Sequence, residues 1–169
     1  MRRGLAYVDL KQPNVLYYLL PARAVIVLCD FGGLAEVGRC EASTFPPPEH
    51  PRGEVRASER AVLYGLGVLL VHALTSFHAH ALCFVARGTK KRRRDNEDDD
   101  ARAELTDAEA TELLRAACAK ALAVVTALDA DAGAVLRVAW AQGSTMRDLS
   151  EALEAALLRA PASAVHRNS

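Results

Sequence analysis

The spacing of hydrophobic positions changes along this chain, and each change predicts a different element. Residues 15–29 read as a hairpin. Val15-Leu16-Tyr17-Tyr18-Leu19-Leu20 is β-branched and aromatic, Pro21 to Ala24 supplies a turn, and Val25-Ile26-Val27-Leu28-Cys29 is a second apolar strand. Residues 38–58 lack that rhythm: Gly38, Gly53 and prolines at 46–48 and 51 punctuate scattered charge, which predicts a loop. Residues 61–86 contain no Asp, Glu, Lys or Arg. Such a stretch is either a helix buried on all sides or a membrane span, here with Arg87 and Lys90–Arg94 as a basic flank. The polar content of His72, Thr75, Ser76, His78 and His80, with Gly65 and Gly67, favours the buried helix.

Further along, residues 87–100 (RGTKKRRRDNEDDD) set a positive block against a negative one and predict a solvated segment. From about 105 to 128 the pattern is helical. Thr106 precedes Glu109 by three positions, a capping box, and Leu113, Leu114, Ala117, Ala121 and Val124 follow at helical spacing. Thr145 to Leu158 repeats that logic with Leu149, Leu153, Ala156 and Leu157. The chain therefore divides into an apolar unit at 1–86, a charged insertion at 87–104, a helical unit at 105–160 and a tail at 161–169.

Composition narrows the function. Lys+Arg and Asp+Glu are 21 each, so the net charge is zero, which argues against a wholly basic nucleic-acid binder or an acidic tail. At 51% hydrophobic, the 169 residues can build a core. Alanine supplies 32 of them, 21 after position 100, which points to helices packed through small residues. Cys29, Cys40, Cys83 and Cys118 form no C-x-x-C pair and read as free thiols in a reducing compartment. Asp9, Lys11 and Gln12 interrupt any secretory signal. His72, His78 and His80 lack the i,i+4 spacing of a helical metal site.

The chemistry concentrates in Asp9-Leu10-Lys11-Gln12-Pro13-Asn14 and, past the hairpin, Asp30-Phe31-Gly32. Phosphoryl transfer needs a carboxylate beside the attacking hydroxyl, a cation for the phosphate oxygens and oxygen ligands for Mg²⁺. These residues provide each type, and the hairpin folds the second aspartate back toward the first loop. In that order the two motifs resemble the carboxy-terminal lobe of a protein kinase. The resemblance implies Asp9 as catalytic base, Lys11 as the catalytic-loop lysine, Asn14 and Asp30 as magnesium ligands, and Mg-ATP as cofactor where the cleft is complete. It implies a mainly α fold with a small β-hairpin and phosphoryl transfer to Ser/Thr hydroxyls of a protein substrate. Pro48-Glu49 resembles the A-P-E motif, Tyr64-Gly65-Leu66-Gly67-Val68-Leu69-Leu70 the buried W-S-L-G-V-x-L helix, and Ser144–Leu149 the late R-P-T segment. That likeness predicts a Glu49–Arg147 ion pair.

The chain also departs from the family. H-R-D is here Tyr7-Val8-Asp9, so control through a phosphate paired to that arginine is not expected. Asp30 to Glu49 is a short activation segment of nineteen positions. Val62 stands where the family braces its catalytic loop with an acid, and Glu59 is the candidate substitute. Met1 lies eight residues before Asp9, without a Gly-rich loop, strand lysine or helix glutamate ahead of it. A chain of this extent is expected to bind ATP poorly and to be inactive alone. The alternative is a non-catalytic pseudokinase-type interaction module with a protein partner; a single-pass membrane protein ranks behind both. No nucleic-acid or membrane partner is expected. The loose catalytic loop, Leu28-Cys29-Asp30 and the alanine-rich helices are similar to the herpesvirus conserved protein kinases, which implies an intracellular, nuclear location. Lys90–Arg94 suits an import signal or a solvated loop.

Overall fold

The computed structural model describes residues 4–20, 23–75 and 105–159. In chain order the strands are β1 (Leu5–Tyr7), β2 (Val15–Leu20), β3 (Arg23–Leu28), β4 (Leu34–Glu36), β5 (Cys40–Ala42) and β6 (Glu54–Arg56). Four helices follow: α1 (Glu59–Thr75), α2 (Asp107–Leu128), α3 (Ala130–Trp140) and α4 (Met146–Arg159). The described chain is mostly helical, as the pattern predicts, with short antiparallel sheets before the helices.

The predicted hairpin is present as β2–β3, paired from Val15↔Leu28 to Leu20↔Arg23. Two further, separate pairs are present. β1 lies antiparallel to β4, with Tyr7 opposite Leu34, and β5 lies antiparallel to β6, with Glu41 opposite Val55. The last pair corrects the loop expected at 38–58. Its strands are three residues each, too short for alternation to show among the glycines and prolines, yet Val55 is buried in a cluster with Ala6, Val8, Ala35, Ala57 and Ala61.

Helix α1 is the centre of the molecule. It packs against β1, α2, α3 and α4, and buries Leu63, Tyr64, Val68 and Val71 almost completely. A helix that is apolar all round belongs in such a place. The absence of a side chain at Gly67 lets Trp140 close on the helix backbone, where its indole N–H donates to the Tyr64 carbonyl at 3.3 Å. His72, also on α1, lies edge-on to Phe45, and burial lowers its pKa. No helix among the described residues is long and apolar enough to cross a membrane.

Helix α2 starts at the predicted capping box. The Thr106 hydroxyl accepts from Glu109 N–H, and the Glu109 carboxylate accepts from Thr106 N–H at 2.7 Å. Helix α3, which the spacing rules do not mark, starts at Asp129, whose carboxylate accepts from Ala132 N–H at 2.9 Å. The charged insertion at 87–104, Lys90–Arg94, His78, His80, Cys83 and the tail lie outside the described residues.

Two expected roles are corrected. Glu49 pairs with Arg60 at 2.8 Å, not with Arg147, which instead bonds Glu151 one turn along its own helix at 2.9 Å. Arg60 is the better-placed cation because it starts α1 beside the proline turn and also donates to the Ala139 carbonyl. Glu59 does not brace the Asp9–Asn14 loop. Its carboxylate accepts from Met146 N–H at 2.6 Å, where it faces the positive end of α4.

Candidate functional site

Asp9 sits at the end of β1 between two buried anchors. Val8 enters the cluster around Ala35 and Val55, and Leu10 lies against α1 at Gly65, where an added Cβ would stand 2.9 Å from the Leu10 Cβ. With both neighbours held, the intervening side chain has one exit. The Asp9 carboxylate there accepts from Lys11 Nζ at 2.5 Å on one oxygen and from Thr44 N–H at 2.6 Å on the other. Lys11 also donates to the Thr44 hydroxyl at 3.2 Å, closing a three-residue cluster. Burial alone would raise the Asp9 pKa, but the Lys11 bond and the two Thr44 contacts outweigh it and hold the carboxyl below its ordinary range.

Asn14 closes the tight turn Gln12–Asn14 and is buried at 4% exposure. Its amide NH₂ donates to the Asp9 carbonyl at 3.2 Å and to the Tyr7 hydroxyl at 3.0 Å. Both amide hydrogens face the protein, so the side-chain oxygen is the atom Asn14 can offer a cation. The Tyr7 hydroxyl shares its hydrogen between the carbonyls of Cys29 (2.9 Å) and Asp30 (2.7 Å). Burial, with the nearby Asp30 and Asp9 charges, raises its pKa despite the Asn14 bond, so it stays a neutral donor at physiological pH.

The second aspartate follows β3. Asp30 has φ 59° and ψ 70° and is the one non-glycine among the described residues with positive φ. Left-handed backbone at a non-glycine is uncommon and costs about 1 kcal/mol or more. The Asp30 carboxylate accepts from Gly32 N–H at 3.4 Å and has no ion pair among the described residues. Gly33 then runs directly against Asp9. Its carbonyl accepts from Val8 N–H at 2.9 Å, and a Cβ there would stand 2.8 Å from the Asp9 Cβ.

The structure thus ties Asp9, Lys11 and Asn14 into one bonded group and links it to the Asp30 turn through Tyr7 and Gly33. Two members were not marked by sequence. Thr44 carries only a weak signal, a hydroxyl residue ahead of the Pro46–Pro48 run, and reaches Asp9 across 35 positions. Tyr7 registers in the resemblance only as a departure from H-R-D, not as a hydroxyl bonded to the Cys29 and Asp30 carbonyls. Val8 beside it is core.

Asn14 and Asp30 offer hard oxygen donors, the type Mg²⁺ takes, and a Mg²⁺ that keeps waters and substrate phosphates needs only one or two protein ligands. The donor set therefore fits the metal implied by the resemblance. Among the described residues no cluster of three or more His, Cys, Asp or Glu stands together. Comparison with known proteins finds no matching family model, no matching curated protein and no matching solved structure.

Proposed function

We propose that this chain carries the acceptor side of a phosphoryl-transfer centre of the protein Ser/Thr kinase type. Asp9 takes the proton of the attacking hydroxyl as its oxygen bonds to the γ-phosphorus and the bond to the ADP oxygen breaks. Lys11, already on the Asp9 carboxylate, offsets charge on the transferred phosphoryl group. Thr44 holds Asp9 in its working orientation. Asn14 and Asp30 would hold magnesium, which would supply charge neutralisation on the nucleotide phosphates. The observation that carries this reading is the closed Asp9–Lys11–Thr44 cluster, with Asn14 bonded to the carbonyl of the same aspartate. A second reading, a non-catalytic interaction module on the same framework, is favoured by the exposed apolar surface of β2 and β3.

The deciding measurement is paramagnetic broadening of amide signals by Mn²⁺ with ADP. Broadening is expected to be strongest at Asn14 and at residues 29–33, and to disappear in Asp30→Ala. Broadening centred elsewhere, or unchanged by Asp30→Ala, overturns the assignment.

A further inference from the structure

The geometry of a cleft between α1, α2 and α3 points to a ligand site: we propose that it binds a small aromatic monocarboxylate, with Arg115 taking the carboxylate and Trp140 lying against the ring. The cleft holds about 170 Å³, and its lining includes Glu49, Arg60, Tyr64, Arg115 and Trp140. It shares no residue with the Asp9–Lys11–Thr44 cluster, and nothing in the proposal rests on the phosphoryl-transfer reading.

Charge chooses the head of the ligand. Three charged side chains line the cleft, and two of them cancel. Arg60 Nε donates to the Glu49 carboxylate at 2.8 Å, and a second nitrogen of the same guanidinium donates to the Ala139 carbonyl at 3.3 Å. That guanidinium also lies over the Tyr64 ring, 5.7 Å from its centre. Arg115 has no such commitment. Its one ion pair among the described residues, with Glu112 at 3.8 Å, stands in solvent, where such pairs contribute little. The cleft therefore presents one net positive charge on a planar donor fork, the geometry that takes a carboxylate through two parallel hydrogen bonds. A phosphate would bring nearly two negative charges beside the Glu49 carboxylate, so the charge balance selects a monoanion.

Size and surface choose the body. The volume is close to the ~150 Å³ that takes a benzene ring in an engineered protein cavity. Tyr64 and Trp140 line it as a stacked pair, ring centres 5.7 Å apart and planes 25° from parallel. The Trp140 indole N–H is already given to the Tyr64 carbonyl, so the tryptophan offers a ligand carbon surface and not a hydrogen bond. An aromatic body gains ring contact there that an aliphatic one does not.

Trp140 is the chain's single tryptophan, so its fluorescence reports on the cleft. Titrating the whole chain with phenylacetate should change that fluorescence saturably, with a Kd on the order of 1 mM or below, ordinary for a ligand of that size. Phenylacetamide, its neutral isostere, and phenyl phosphate should each bind at least ~10-fold more weakly, as loss of a charge-assisted bond or a like-charge clash requires. Arg115→Gln should weaken phenylacetate binding at least ~10-fold with unchanged helical circular dichroism, because the side chain is exposed. Arg147→Gln, which removes an exposed guanidinium from α4, should leave binding unchanged. An acetylated dipeptide ending in phenylalanine separates two sources of the same chemistry: binding as tight as phenylacetate or tighter assigns the cleft to a protein carboxyl terminus, weaker binding to a free acid. No saturable change up to ~10 mM, equal affinity for phenylacetamide, or full affinity in Arg115→Gln overturns the proposal. The titration uses neither metal nor nucleotide, so its failure and that of the Mn²⁺ broadening are separate results.

Discussion

Two stretches of this chain carry almost no charge and have opposite fates. Residues 61–75 form most of α1 and sink into the centre; residues 15–28 form the β2–β3 ribbon and stay in solvent. Composition does not separate them. The difference lies in what their backbones allow to approach. Gly65 admits Leu10 of the Asp9–Asn14 loop, and Gly67 admits Trp140 and Leu136 of α3. The ribbon has no glycine, and apolar side chains stand on both of its faces. Apolar residues create a demand for a partner; small residues at defined positions decide which partner can answer it from within the chain.

If that account of α1 is right, its contacts are the most expensive to damage. Leu136 is fully buried beside Val71, Ala121 and Val125. Leu136→Ala should cost about 2–5 kcal/mol in urea unfolding, through lost burial and a residual cavity. Gly67→Ala is the sharper probe. In an open helix the change would stabilise by about 0.8–1 kcal/mol. Here the new Cβ would collide with the Trp140 indole nitrogen and stand 2.7 Å from its neighbouring carbon. A net loss of about 1–3 kcal/mol is expected, as for other overpacked cores, and a net gain would show that α1 and α3 are not locked together.

The same contrast explains what was legible beforehand. α2 and α4 are readable because an N-terminal cap and i,i+4 apolar spacing coincide, at Thr106–Glu109 and again at Thr145, whose N–H and hydroxyl donate to Asp148. α3 is not, because it is only eleven residues long and follows α2 after the single residue Asp129, so its own apolar spacing at Val135, Leu136 and Ala139 runs on from the helix before it. β5 and β6 are hidden for the opposite reason: their pairing is non-local, with Cys40 opposite Arg56, and short-range spacing carries no trace of it. In the site, Asp9, Lys11 and Asn14 were visible because one short loop holds all three. Thr44 and Tyr7 act across distance in sequence, and the Arg60–Glu49 pair could only be chosen over Arg147 once α1 was in place.

The site lies between the two stretches, and its pH response tests which side holds it. The Asp9 pKa is lowered in the folded chain, chiefly by Lys11 and Thr44 acting against burial. A depressed carboxyl contributes stability that is fully present above its unfolded value, near 4, and is lost as pH falls through the lower folded value. Asp9→Asn should therefore flatten the acid limb of the stability curve below about pH 4. An unchanged limb would mean the cluster does not form in solution. Thr44→Ala removes a hydroxyl that accepts from Lys11 and should cost about 0.5–1.5 kcal/mol, with Thr44→Ser restoring most of it.

The smallest expected effect falls on the ribbon, and it bears most directly on the contrast with α1. Leu19 is as apolar as Leu136, and it is 78% exposed. Leu19→Gln should change unfolding stability by no more than about 0.5 kcal/mol in urea unfolding, the range of ordinary surface substitutions. A loss of about 2 kcal/mol would place Leu19 in the chain's own core. The ribbon and α1 would then be two halves of one interior, and the apolar face of β2 and β3 would not be open.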